Sequence, residues 1–214
     1  MSNDRALRGL LDAIAVRDGT GALEMLTKTP LLARAVVAVG ATRENPKDYF
    51  FDAIKHYAYA GDTALHMAAA AYQLETATAL VSMNADVRAR NRRGAEPLHY
   101  ACDGSPGSAW WNADAQSAVV ALLIRAGADL DVADKSGVAP LHRAVRTRCS
   151  PAVRALLASG ADVHRRNGSG ATPLHLAVQD TGRSGSGSAE AREEQAAIIR
   201  ELVAHGARPY DRSS

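Results

Sequence analysis

The phrase Thr172-Pro173-Leu174-His175 decides the fold of this chain, because it occurs four times in closely related form. The other three copies are Thr63-Ala64-Leu65-His66, Glu96-Pro97-Leu98-His99 and Ala139-Pro140-Leu141-His142. Their leucines are 33, 43 and 33 residues apart, so a unit of 33 residues repeats and one unit carries ten extra residues. A fixed period of this length is typical of repeat proteins, in which each unit packs on its neighbours.

A second phrase recurs in the same register and marks the end of each unit. Its four copies follow apolar runs such as Leu122-Leu123-Ile124, and they begin at Asn84, Gly127, Gly160 and Gly206. Glycine directly after an apolar run predicts a left-handed cap at the C-terminus of a helix. Two independent phrases in phase therefore indicate helical units that repeat through most of the chain.

Residues 61 to about 208 resemble ankyrin repeats, since the phrase, the period and the helix pattern all agree. The resemblance implies an all-α, ankyrin-repeat α-solenoid with short β-hairpin fingers. We divide residues 61–214 into four repeats of one continuous solenoid, at about 61–93, 94–136, 137–169 and 170–208. Residues 1–60 are predicted to form an N-terminal capping helix pair with an inserted aromatic-rich segment, including a short helix that starts at Pro46.

The resemblance also implies a structural role for the histidine of each phrase, whose side chain bonds to backbone between neighbouring repeats. These histidines are His66, His99, His142 and His175. Thr63 and Thr172 are predicted helix caps, whereas Glu96 and Ala139 replace the threonine and lose one hydroxyl hydrogen bond each. The loss costs about 0.5 to 1.5 kcal/mol at each position.

The composition suits thin stacked helices and limits the range of partners. Hydrophobic residues make up 47% of the 214 residues, but only 5% of the chain is aromatic. The formal net charge of +2 is too small to indicate nucleic acid or membrane binding by bulk electrostatics. Any basic site must therefore be local.

Two cysteines, Cys102 and Cys149, are too few for a disulfide framework and are expected to be free thiols. No apolar stretch reaches the ~18 residues that a membrane span needs, and the first residues lack the features of a signal peptide. We therefore expect a cytoplasmic protein with no membrane partner. Its Ala- and Arg-rich composition resembles that of bacterial ankyrin repeat proteins.

Departures from the repeated pattern are the candidates for function, because insertions in repeat proteins project on one face. Residues 103–112 and 181–188 form two inserted loops, and half of the ten aromatic residues lie in 49–59. Since Leu, Ala and Val already supply the stacked core, we expect the large rings and nearby arginines to face a partner. The candidate partner-binding residues are Tyr57, Tyr59, Met67, Tyr72, Tyr100, Trp110, Trp111, Arg143, Arg146, Arg148 and Arg183.

These features predict a non-enzymatic protein–protein interaction module that binds a protein or peptide on its concave face and inserted loops. The alternative is a receptor for a small ligand or anion, with a pocket under the two inserted loops around Arg146 and Arg148. A third hypothesis, nucleic acid binding along the arginines of the fingers, is disfavoured by the small net charge.

No catalytic residue, cofactor or metal site is predicted. The chain has no phosphate loop, no nucleophile elbow and no cysteine–histidine pair at a recognisable spacing. The phrase histidines recur one helix pair apart, about 10 Å, which is too far for shared metal ligation at ~2 Å. Asp103, Asp134 and Asp180 are expected to face a groove, but the sequence does not fix their separations.

Overall fold

Helices dominate the computed structural model, which describes residues 3–104, 110–179 and 189–208. A first pair, Asn3–Ala15 (α1) and Gly19–Lys28 (α2), precedes a long connection with two short strands, Phe50–Phe51 (β1) and His56–Tyr57 (β2). The remaining helices are Ala64–Ala70 (α3), Leu74–Ser82 (α4), Pro97–Cys102 (α5), Ala113–Arg125 (α6), Pro140–Arg146 (α7), Ser150–Ala158 (α8), Pro173–Ala177 (α9) and Ala189–Ala204 (α10). Within these ranges, no helix combines the length and the apolar character needed to cross a membrane.

The helices stack in two rows. The first helices of the pairs, α1, α3, α5, α7 and α9, pack side by side, and the second helices form a parallel row behind them. The phrase leucines and the alanines three residues after them are buried between the units: Leu65, Leu98, Leu141, Leu174, Ala68, Ala101, Ala144 and Ala177. Small residues at these positions allow the close helix approach that stacking requires.

The repeated phrase begins each first helix and also bonds one unit to the next. The Nδ1 atom of His66 accepts from the Thr63 N–H at 3.1 Å, and the Nε2 atom bonds to the Ala95 carbonyl of the next unit at 3.2 Å. Equivalent pairs of bonds link His99 to Glu96 and Val138, and His142 to Ala139 and Ala171. The predicted caps at Thr63 and Thr172 are confirmed, because both hydroxyls accept from the N–H three residues later.

These bonds need neutral imidazole rings, since each ring accepts at one nitrogen and donates at the other. Burial lowers the pKa of His66 and His142, and it lowers the pKa of His99 to about 4. The rings are therefore uncharged at neutral pH. Protonating them would remove the acceptor that each helix start uses.

Glu96, the residue before α5, is a poorer helix cap than Thr63 and Thr172. Its backbone N–H bonds to His99, but its buried Oε2 atom has no hydrogen-bond partner among the described residues. Burial raises the pKa of Glu96 from 4.5 to about 7. Because the folded pKa lies above the unfolded one, Glu96 favours folding below pH 4.5, and this contribution is lost as the pH rises through 7.

We expect Glu96→Gln to be more stable than the parent at pH 8 by about 1 kcal/mol, after allowance for partial solvent screening. The gain should vanish about one pH unit below 4.5, where the glutamate is protonated in both states. Urea unfolding of both proteins at the two pH values measures this difference. The exposed Glu44→Gln is the control and should change stability at neither pH; a gain for Glu96→Gln that is independent of pH would contradict the explanation.

The finger turns repeat one hydrogen-bond pattern. At each turn an Asn or Asp Oδ1 atom accepts from the backbone N–H groups two and four residues later, at 2.8 to 3.1 Å. These turn residues are Asn91, Asp134 and Asn167. Successive turns also bond to each other, since the Lys135 N–H donates to the Arg93 carbonyl and the Gly168 N–H donates to the Ser136 carbonyl.

The predicted left-handed helix caps are also confirmed. Gly127, Gly160 and Gly206 have φ values of +92°, +93° and +95°. Asn84 takes the same role in the first copy with φ of +58°, a conformation that Asn tolerates better than most residues.

Residues 30–60 differ from the prediction. After Pro46 the chain makes only a single 3₁₀ turn, Lys47–Tyr49, so the predicted short helix is wrong. Phe50–Phe51 then pairs antiparallel with His56–Tyr57 around a second 3₁₀ turn, Asp52–Ile54. Aromatic residues favour extended backbone, and here the strand pairing of residues 50–57 outweighs the helix signal of Pro46. We call residues 50–57 the inserted hairpin.

Candidate functional site

The inserted hairpin lies over the row of first helices, on the surface of α3, α5 and α7 that we call the inner face. The ring of His56 packs edge-on against Tyr100 with centroids 4.3 Å apart, and Tyr100 packs against His66 at 5.0 Å. Below these rings, Asp62 accepts from the Tyr100 hydroxyl at 2.7 Å and from the Asn91 amide at 2.8 Å. The hairpin therefore packs through His56 on a ring that a buried polar network holds in place.

Three of the predicted partner-binding side chains lie in the interior. Met67, Tyr72 and Tyr100 are 0%, 4% and 1% exposed, so the expectation that they face a partner is wrong for the isolated chain. The inserted hairpin covers Tyr100, while the Tyr72 hydroxyl donates to the Asp103 carbonyl. The first helices of a repeat stack expose their inner face only where no other segment of the chain covers it.

Arg143 is also buried, because two carboxylates from different loops neutralise it. Its NH1 group donates to Asp103 at 2.7 Å and its NH2 group donates to Asp134 at 3.1 Å. Burial alone would lower the pKa of Arg143, but these carboxylates raise it above its ordinary value. Burial acts to raise the pKa of Asp134, yet the backbone N–H groups and Arg143 together lower it. Two of the three predicted groove carboxylates, Asp103 and Asp134, thus serve as ion-pair partners.

Two adjoining cavities are lined by residues of the inserted hairpin, α5 and α7. The larger has a volume of about 400 Å³ and extends to Trp110 and Thr147, and the smaller has a volume of about 180 Å³ and extends to Arg93. Four residues line both cavities, namely His56, Tyr100, Asp103 and Arg146. We call the two cavities together the inner groove. Arg146 is exposed at its rim.

The two tryptophans of the first inserted loop have different environments, although both are half-buried. Trp110 lines the inner groove and stacks on Tyr72 with centroids 6.0 Å apart and an interplanar angle of 16°. Trp111 packs against the core and donates from Nε1 to Gln116 at 3.0 Å. Only Trp110 therefore has a face beside the groove.

The aromatic side chains of the hairpin extend from the groove to the fingers. Tyr57 is 37% exposed and packs against Phe50 and Tyr59, with centroids 4.7 and 6.3 Å away. The Tyr59 hydroxyl accepts from Arg93 at 3.1 Å, and the Arg92 and Arg93 guanidinium groups lie over its ring. Other finger arginines bond to backbone carbonyls, since Arg88 donates to Gly127 and Arg90 to Gly94 and Ala133.

Arg148 does not accompany Arg146 in the inner groove. Arg148 is 5% exposed, has a φ of +58° and donates to Gln195 of α10 at 3.0 Å. Left-handed backbone at Arg148 turns its side chain toward the last helix pair, where Arg146 and Arg148 together line a cavity of about 10 Å³ against α9 and α10. This cavity is smaller than small-molecule sites, so the expected ligand pocket around both arginines stays a prediction. Arg183, Asp180 and the second inserted loop lie outside the described residues.

Comparison with known families agrees with this architecture. A family model for "Ankyrin repeats (3 copies)" matches residues 109–213, and a second model, "Ankyrin repeat", matches residues 60–92. Together the matches cover more than half of the chain. The chain belongs to the ankyrin repeat family. The all-α solenoid that the sequence predicted is thereby confirmed. No curated protein matches the chain significantly.

Ankyrin repeats are generally protein–protein interaction modules, and the family is typically non-enzymatic. In this ankyrin repeat protein the two matches leave residues 1–59 outside, and that segment contains the inserted hairpin. The inner groove is therefore formed partly by repeat residues and partly by a segment that follows no repeat pattern.

Sequence reasoning did not select the groove residues Lys55, His56 and Arg93 as candidates, and it did not predict that Asp103 pairs with Arg143. One signal was present, since His56 is the histidine that lies among aromatic residues rather than in a repeat phrase. The pairing of Arg143 with Asp103 had no local signal, because these residues are 40 positions apart.

Proposed function

We propose that this ankyrin repeat protein is a non-enzymatic interaction module that binds a protein or peptide along the inner groove and the loop beside it. The observation that carries the proposal is the groove itself, whose larger cavity is lined by exposed Arg146, half-buried Trp110 and the hairpin residue Lys55. Tyrosine, tryptophan and arginine are the residues that most often dominate binding energy at protein interfaces.

The buried residues below the groove support this proposal as well. Tyr100 donates a hydrogen bond to Asp62, and Arg143 donates to Asp103 and Asp134, so the groove floor is ordered before a partner arrives. A rigid surface loses little conformational entropy on association, which allows a modest contact area to bind specifically. We infer that Tyr57, Trp110 and Arg146 contact the partner directly, while Met67, Tyr72, Tyr100 and Arg143 shape the surface.

A small-ligand or anion receptor is the second candidate, and the volume of the larger cavity favours it. A cavity of about 400 Å³ lies within the range of small-molecule sites. In this case Arg146, rather than Arg148, would bind the anion. A panel of small anions that raises the melting temperature of the parent but not of Arg146→Ala would support the receptor, and no shift with any of them would count against it.

Photo-crosslinking in cells that express the protein natively tests the interaction module. We expect a photoreactive phenylalanine in place of Tyr57 to capture a specific protein, because position 57 is exposed and adjoins His56, which lines the groove. The same group in place of Val203, which is 51% exposed on α10, is the matched control and should not capture that protein. Capture from position 203 alone, or from neither position, would contradict the proposal.

We also assign this activity to the cytoplasm, supported by two buried free thiols.

A further inference from the structure

Two buried nitrogen atoms beside the inner groove have no hydrogen-bond partner in the part of the chain that the structure describes. They are Nε2 of His56 and Nε of Arg143. Burial without a partner is costly for a polar atom, so most such atoms in native proteins are paired with protein, water or ligand. Both residues line the smaller cavity, and His56 lines the larger cavity too.

The unpaired groups define the chemistry of a ligand. Arg143 Nε is a donor only, since a guanidinium has no acceptor. The two terminal nitrogens of Arg143 already bond to Asp103 and Asp134, so Nε is the nitrogen left over. The His56 ring also donates when its proton is on Nε2. A complementary ligand must therefore present acceptor oxygens.

The charges around the groove favour an anionic acceptor. Lys55, Arg93, Arg143 and Arg146 line the groove, whereas Asp103 is the single lining carboxylate among the described residues. Asp103 and Asp134 neutralise Arg143, and Asp52 pairs with Lys55 on the exposed surface, so Arg93 and Arg146 supply the positive charge of the groove. Cationic groups around a concave, partly dry surface focus a positive potential into it.

Arg146 is the residue best placed to meet an incoming anion. It is exposed, it lines both cavities, and no hydrogen bond or ion pair joins it to other described residues. Arginine presents two parallel N–H groups that match the two oxygens of a carboxylate. Arg146 can therefore bind the anion at the rim while the His56 side supplies a donor below.

From this geometry we propose that the inner groove binds the carboxylate of an acidic side chain, with Arg146 as the main contact and His56 as a second donor. The inference rests on the proposed interaction module and names its partner as an acidic segment of a protein. Burial lowers the pKa of His56, an effect that Asp103 and Asp62 oppose and Arg143 and His66 reinforce. These surroundings favour a neutral His56 ring, which donates one hydrogen bond.

The test uses the intrinsic tryptophan fluorescence of the full chain, because Trp110 lines the groove. The parent is titrated with a short peptide that alternates Glu and Ser, with the same peptide carrying Gln for Glu, and with free glutarate. We expect the Glu peptide to bind at least about tenfold more tightly than the Gln peptide, since charge-assisted hydrogen bonds are the strong class. Glutarate should bind more weakly than the Glu peptide.

Two arginine variants identify the site. Arg146→Met should weaken binding of the Glu peptide about tenfold or more. Arg125→Met removes the same charge from an exposed position at the end of α6, in the other row of helices, and should have little effect. His56→Phe keeps an aromatic ring against Tyr100 and should weaken binding less than Arg146→Met does. Circular dichroism checks that each variant is folded.

Three outcomes would overturn the inference. Equal binding of the Glu and Gln peptides would exclude carboxylate recognition, and equal losses in Arg146→Met and Arg125→Met would show that attraction is not localised in the groove. Glutarate binding as tightly as the peptide would replace the acidic segment with a free small anion. If any of these outcomes occurs but photo-crosslinking from position 57 still captures a protein, the proposed interaction module is retained. Only the proposal that its partner is acidic is then rejected.

Discussion

Leu141→Ala should lower the free energy of unfolding by about 2 to 5 kcal/mol, the range for removing a leucine side chain from a packed core. Leu141 is 1% exposed on α7, and α7 packs between α5 and α9. A stack of repeats holds together through contacts between nearest neighbours, so a cavity in the middle weakens the coupling of the two ends. We therefore expect the unfolding transition of the variant to broaden or to split into two.

Urea unfolding monitored by circular dichroism and by tryptophan fluorescence measures both effects. Leu74→Ala is the matched control, because Leu74 is 40% exposed and its truncation leaves little cavity. The control should lose less than about 1 kcal/mol. A Leu141→Ala protein as stable and as cooperative as the parent would show that this leucine does not couple the repeats.

Asp62→Ala should cost about 3 to 5 kcal/mol, because it leaves several buried donors without an acceptor. Asp62 is 0% exposed and accepts from Asn91, from the Tyr100 hydroxyl and from the Tyr59 N–H, at 2.8, 2.7 and 2.6 Å. Since Tyr59 follows the inserted hairpin, the substitution should also loosen the hairpin. Faster chymotrypsin cleavage at Phe50 or Tyr57 would report that loosening.

Asp52→Ala is the control for this prediction. Asp52 lies in the same hairpin, and its ion pair with Lys55 joins side chains that are 80% and 58% exposed. Exposed ion pairs contribute little, so we expect a change within about 0.5 kcal/mol and no new cleavage. If Asp62→Ala and Asp52→Ala behaved alike, the buried network would not be what fixes the hairpin.

The stacked helices were predictable from the sequence because their determinants are local and repeated. The Leu-His phrase fixes where each first helix starts, and Gly127, Gly160 and Gly206 fix where second helices end. The cap at Thr63 and the neighbouring histidine bond also lie within a few residues of each other. The same phrase therefore predicts the same local structure in each of the four repeats.

The inner groove was not predictable in the same way, because its contacts join residues distant in sequence that belong to no shared pattern. His56 meets Tyr100 across 44 positions, and Arg143 meets Asp103 across 40. The concentration of rings in 49–59 was visible, but the sequence did not indicate that Phe51 meets Arg8 of α1 while His56 meets Tyr100 of α5. Arg146 was predicted as a candidate, and its position beside a cavity required the fold.

The inserted hairpin also limits how freely this array can be rebuilt. Ankyrin units with the same phrase are interchangeable where each touches only its neighbours. Here Tyr100 of the second unit packs against His56, a residue that precedes the first unit in the chain. Replacing α3 to α6 with consensus units would therefore remove the side chains on which the hairpin packs, and replacing α7 would remove Arg146 from the groove, whereas α9 and α10 line neither groove cavity among the described residues. Shuffling and recombination should tolerate exchange of the last unit and select against exchange of the earlier ones.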